Sequence, residues 1–157
     1  PHTVWPEHCL VGDEGHNVWP PLAAAIHEWE ERFVVPDFVT KGVNRWTEHF
    51  SAVIAEVPDG DDPATQLNRR LIGELEAADV VLVAGEARSH CVANTVRDIA
   101  DNYVDPESIR KMVLLTDASS DVADPPGTTL FSDLGAAFVR DLRARGMRTD
   151  TTISVLA

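Results

Sequence analysis

Cys91 follows an apolar run, Val80 to Ala84, and a turn of Gly85, Glu86, Ala87, Arg88, Ser89 and His90, and it precedes a helical pattern. A cysteine at the start of a helix meets unpaired backbone N–H groups and the positive end of the helix dipole, which favour a thiolate and can hold an oxyanion. It is then either a nucleophile or a small packing residue. Lys41 is one of only two lysines, with Lys111, among 13 basic residues. It follows the extended-looking segment Val34 to Thr40, so a parallel sheet would deliver it to the edge that also receives Cys91. An ammonium close to the sulfur would favour the thiolate and its attack at neutral pH; the alternative is a solvated lysine at a strand end. His8 offers a neutral imidazole to a metal, although one histidine does not make a site. His90 is adjacent to Cys91, and neighbours on a helix do not face each other, so it is not expected to act as the base.

The elements that would position these groups alternate. Pro20 and Pro21 open an amphipathic helix with Leu22, Ile26, Trp29 and Phe33 on one face, where proline's missing N–H costs nothing, and Trp29 is expected in the core. A strand is expected over Val34 to Thr40, with Pro36 near its beginning. A surface loop over Glu56 to Pro63 leads to a second helical stripe of Leu67, Leu71, Ile72 and Leu75. Val80 to Ala84 reads as a strand buried on both faces, ended by Gly85. Ser89 to Tyr103 is helical, Met112 to Thr116 a strand, and Asp117 to Gly127 a polar loop. Leu130 to Arg145 is a helix with Leu134, Ala137, Phe138 and Leu142 inward, and a last strand is expected near Thr152 to Leu156. This alternation predicts an α/β fold, a mainly parallel sheet in a three-layer α/β/α arrangement over residues 1–157 as one domain.

Composition sets the outer limits. The 157 residues, 44% hydrophobic and 25% charged, suffice for one core and exclude a disordered or disulfide-stapled chain. The formal charge of −13 repels phosphate backbones and anionic surfaces, so neither nucleic acid nor a membrane is an expected partner. No apolar run is long enough to cross a bilayer, and the two cysteines, Cys9 and Cys91, make no disulfide framework. A cytoplasmic location is the corresponding expectation.

The segments Trp5-Pro6-Glu7-His8-Cys9 with Gly12 and Gly15, Lys41-Gly42, and Gly85-Glu86-Ala87-Arg88-Ser89-His90-Cys91-Val92 together resemble the cysteine hydrolase superfamily of nicotinamidases and isochorismatases. Thr47 to Ser51 and Leu114 to Ser120 look like its larger nicotinamidase-related branch. The resemblance implies an isochorismatase-like, Rossmann-like fold, with Cys91 as nucleophile and Lys41 as the triad lysine. It implies a cis peptide between Glu86 and Ala87 and an oxyanion held by the backbone N–H groups of Ala87 and Cys91. His8 would match a metal-binding histidine, the cofactor being a divalent metal, zinc first, with manganese, iron or magnesium as alternatives. Trp5, Trp46 and His90 would line a substrate pocket. The implied reaction is hydrolysis of the C–N bond of a small amide, nicotinamide-like, through a thioester, in a homo-oligomer. A metal-free isochorismatase-like or carbamoyl-cleaving hydrolase, or a non-catalytic binding or oligomeric module, are the alternatives. The family's triad aspartate and its Asp-x-His metal ligands have no match here, since Asp13 is the first aspartate and no Asp-x-His occurs. The expectation is that residues 1–157 are the C-terminal portion of the domain, with those groups upstream of Pro1.

Overall fold

Met112, Val113, Leu114 and Leu115 place no polar side chain on either face, and all four are buried, at 0 to 8% exposure. They begin the central strand of the sheet in the computed structural model, which describes residues 5–157. These residues form two compact units, the first running to Val39 and the second from Thr40 to Ala157. In the first unit, α1 (Pro20–Glu30) starts on two prolines as expected, but none of its residues is buried. Trp29, expected in the core, is 46% exposed. Helical spacing sets up an apolar face; only a surface packed against it makes that face a core.

The second unit holds α2 (Arg69–Ala77), β1 (Val81–Glu86), α3 (Cys91–Asn102), β2 (Met112–Ser120), α4 (Leu130–Arg145) and β3 (Arg148–Asp150). The sheet is parallel, in the order β1-β2-β3. Each crossover is helical, as parallel pairing requires, since a parallel neighbour cannot be reached by a tight turn. Val81, Met112 and Leu114 from the sheet pack with Ile72 of α2, Val92, Val96 and Ile99 of α3, and Phe138 and Leu142 of α4. This is the α/β class with a parallel sheet that the alternation predicts.

Several boundaries differ from the sequence reading, each for an identifiable reason. No strand forms over residues 34–40. A strand exists only as part of a ladder, and among the described residues nothing pairs with this segment, so Lys41 rises from irregular backbone. β1 is not buried on both faces: Val81 is 8% exposed but Leu82 is 42% exposed. β1 also runs through Gly85 to Glu86, because β2 continues beside it to Ser120. The polar residues Asp117 to Ser120, expected in a loop, are thus strand, with Gly85 opposite Ser119 and Glu86 opposite Ser120. The pairing shifts between Val83 and Gly85, an irregularity of the kind that re-aims side chains at a sheet end.

On α4 the buried set is Phe131, Gly135, Phe138 and Leu142, while Leu134 is 44% exposed. Gly146, with φ +118°, ends this helix in the left-handed conformation that glycine adopts without a Cβ penalty. The chain then enters β3 at Arg148, earlier than the expected strand at 152–156. Those residues instead form turns, with the Thr152 N–H and hydroxyl donating to the Asp117 carboxylate.

Replacing the fully buried Phe138 by alanine should lower unfolding stability by about 3–5 kcal/mol. Val104→Ala, at a side chain 88% exposed, should stay within about 0.5 kcal/mol. Urea denaturation of both variants checks the assignment of this core.

Candidate active site

The chain leaves β1 through a cis peptide between Glu86 and Ala87 and turns into α3, whose first residue is Cys91. The Ala87 carbonyl accepts from the backbone N–H groups of His90 (2.9 Å) and Val92 (3.1 Å), which closes the turn. At a helix start the first N–H groups have no intrahelical acceptor, so the amide of Cys91 points a donor outward. Among the described residues neither the Ala87 nor the Cys91 N–H meets a protein acceptor.

This turn is fastened to the far end of β2 and the residues beyond it. The Arg88 N–H donates to the Ser120 carbonyl at 2.7 Å, and the Ser119 hydroxyl donates to the Gly85 carbonyl at 2.8 Å. The Val122 N–H donates to the Ser89 hydroxyl at 3.0 Å. The Arg88 guanidinium grips the Asp121 carboxylate through two parallel N–H···O contacts, Nε to Oδ1 at 2.9 Å and Nη2 to Oδ2. That pairing raises the Arg88 pKa, against the opposing effect of burial. Asp121 is seated over Gly135 of α4, where a Cβ would stand 2.0 Å from Oδ1 and 2.6 Å from the carboxyl carbon. Sequence reasoning placed Asp121 in a loop and missed it, because nothing local marks a residue 33 positions from Arg88 as its partner.

Lys41 arrives by a different route. Its Nζ donates to the His49 carbonyl at 2.9 Å and lies 3.8 Å from Cys91 Sγ. The segment between them is anchored below, where the Ala52 N–H donates to Thr95 Oγ1 of α3 at 3.0 Å and the Asn68 N–H donates to the Val53 carbonyl at 2.7 Å. Thr95 and Ala52 therefore position the lysine, although their separation of 43 residues left no mark in the sequence. The Gly42 N–H donates to His49 Nδ1 at 3.4 Å, which leaves the proton on Nε2. That Nε2 is buried without a partner. Burial first, and then the Lys41 charge, lower the His49 pKa.

Lys41 and Cys91 share a cavity of about 270 Å³ with Glu86 and Thr95. Its walls are apolar, from Ala52, from Val83 and Ala84 of β1, and from Val92, Val96 and Ile99 of α3. The other expected pocket residues stand elsewhere. Trp46 is 77% exposed with the Arg45 guanidinium 4.6 Å from its ring centre, so it faces solvent and not this cavity. The His90 ring is held by the Ser89 hydroxyl at Nδ1 (2.8 Å) and packs edge-on against Phe131 at 5.0 Å, turned toward α4 and away from the lining. Burial lowers its pKa, and the Asp121 charge opposes this.

Trp5 and His8 belong to the first unit. His8 Nδ1 lies 2.7 Å from the Pro6 carbonyl, an arrangement that leaves Nε2 as the acceptor nitrogen. Among the described residues no group of three or more His, Cys, Asp or Glu side chains gathers to hold a metal. No described helix is long and apolar enough to cross a membrane.

No protein-family model matches the chain, and no curated protein matches it. Among solved structures the chain is similar to the Acinetobacter baumanii nicotinamidase pyrazinamidease, with a TM-score of 0.63 at 19% sequence identity. The match covers 98% of this chain and 62% of that one, so the chain spans less than two thirds of that protein's length. This likeness shows an isochorismatase-like fold.

A methyl group at Gly135 should push Asp121 off Arg88, so Gly135→Ala should cost about 1–3 kcal/mol in denaturant unfolding and slow alkylation of Cys91. Arg88→Ala should slow the same alkylation without touching α4. The histidine shifts have a sign that can be checked. With the folded pKa of His49 below its ordinary 6.5, the unfolded chain takes up the proton first, so the contribution of this ring to stability is complete above pH 6.5 and declines as pH falls below it. In His49→Gln the urea midpoint should therefore drop less between pH 7.5 and 5.5 than in the unmodified chain.

Proposed function

We propose that the second unit is a cysteine-dependent hydrolase that cleaves the C–N bond of a small amide through a thioester. The observation that carries this reading is the placement of Lys41 Nζ 3.8 Å from Cys91 Sγ, with the cysteine as the first residue of α3 and both side chains lining one cavity. An ammonium and a helix start both favour the thiolate, the form that attacks carbonyl carbon. Packing alone would not bring a lysine, among the most solvated of side chains, to a half-buried sulfur. The structural neighbour is by its name a nicotinamidase and pyrazinamidase, which supports a small amide as the substrate.

In this reading Cys91 Sγ adds to the amide carbon, and the carbonyl oxygen becomes an oxyanion within reach of the Ala87 and Cys91 N–H groups. Donors already in place where charge develops are worth most in a water-poor cavity. The C–N bond breaks as the leaving nitrogen takes a proton from a solvent water and departs as ammonia, and the hydroxide so formed cleaves the thioester, freeing the carboxylic acid and returning the thiolate. Lys41 holds the sulfur's charge at the start and at the end of the cycle.

Ammonia release from a panel of small amides tests the assignment. Cys91→Ala should lower the rate by at least about a thousandfold, and Lys41→Ala by about 10²- to 10³-fold. Unchanged rates in Cys91→Ala would remove the nucleophile and with it the proposed reaction.

A further inference from the structure

We propose that Glu86 sets the substrate preference of this cavity and selects amides that carry a cationic group. The inference rests on the hydrolase reading above and adds the substrate class to it. The ionisable side chains lining the cavity are Lys41, Cys91 and Glu86. The Lys41 ammonium is committed to the His49 carbonyl and to the sulfur. Once Cys91 is a thiolate, those two charges offset each other and the Glu86 carboxylate remains. Arg88 feels the Glu86 charge, but its guanidinium is held in a two-pronged contact by Asp121, so it does not neutralise Glu86.

Glu86 is also fixed in place. It stands opposite Ser120 in the β1–β2 ladder, and the Ser120 hydroxyl lies 2.7 and 2.8 Å from its two oxygens. One hydroxyl proton fills one of the roughly four acceptor positions of a carboxylate, so the others are open to a ligand. The carboxylate is solvent-accessible, so an entering cation can reach it for a charge-assisted hydrogen bond. A formal charge of −13 over the chain further concentrates cations near its surface. The ligand that fits has an amide carbonyl at Cys91 and, a few atoms away, a protonated amine, amidine or quaternary ammonium at Glu86.

Two measurements separate this inference from the reading beneath it. The first compares kcat/KM for a cationic amide, glycinamide, with that for neutral propionamide. Glu86→Gln should lower the value for glycinamide about tenfold more than the value for propionamide, while Glu86→Asp should keep the preference for the cation. The second needs no hydrolysis. In a Cys9→Ser background, Cys91 is labelled with a trimethylammonium-bearing methanethiosulfonate or with its neutral ethyl counterpart, and Glu86→Gln should lower the cationic-to-neutral rate ratio about tenfold. A ratio unmoved by Glu86→Gln, or equal losses on both amides, would overturn the assignment, the latter by showing a proton-transfer or structural role. If no amide releases ammonia while the labelling ratio still depends on Glu86, the hydrolase reading fails and cation selection at Glu86 stands.

Discussion

The shape of the turn from β1 into α3 is held from the end of β2. Four groups of β2 and the residues just after it, the Ser120 carbonyl, the Ser119 hydroxyl, the Val122 N–H and the Asp121 carboxylate, each take a partner between Gly85 and Ser89. Backbone polar groups at a strand end that bends into a helix would otherwise need water. Supplying their partners from the neighbouring strand fixes where α3 begins, and therefore where Cys91 Sγ points. The bidentate Arg88–Asp121 contact adds a planar, directional restraint that a point-charge lysine would not provide. Gly135 is part of the same device, since only a residue without a side chain lets α4 lie against Asp121.

The lysine is positioned by different means, and the contrast is instructive. Lys41 has no strand beneath it, yet its ammonium occupies a defined place, because the His49 carbonyl receives it and the segment after His49 is tied to α3 and α2 through Ala52 and Val53. A flexible four-carbon side chain loses considerable rotamer freedom when held this way. Two acceptors, a carbonyl and a sulfur, offset that loss. The site thus combines a nucleophile held by a rigid sheet-to-helix turn with a cation held by a loop, both leaning on α3. The apolar residues Val92, Val96 and Ile99 serve twice, as one wall of the cavity and as the contact between α3 and the core.

Much of this architecture was legible in the residues. The helix Leu130–Arg145 has the expected bounds, since an apolar stripe and a terminal glycine mark its length and its end. The strand at Met112 was marked by its unbroken apolar run, and the parallel class followed from the alternation of strands with helices. The failures share one cause. Residues 34–40 look like a strand but have no ladder, Asp117 to Ser120 look like a loop but are drawn into one by Gly85 and Glu86, and Trp29 sits at core spacing on a helix whose residues are all accessible. Local composition states what a segment can bury or pair, and only a neighbour determines whether it does.

For the site the division is similar. The amino-acid sequence alone determined which side chains could do chemistry, above all a cysteine after an apolar strand and a scarce lysine. It could do so because thiol and ammonium chemistry belongs to residue types and to their place relative to helix and strand signals. Tertiary structure decided which of them meet. Lys41 and Cys91 are 50 residues apart in the chain and 3.8 Å apart in space, Glu86 lines their cavity, and Trp46 and His90 turn away from it. Such meetings depend on sheet register, crossover geometry and a few long-range hydrogen bonds, and no local pattern of residues encodes the distance across which those act.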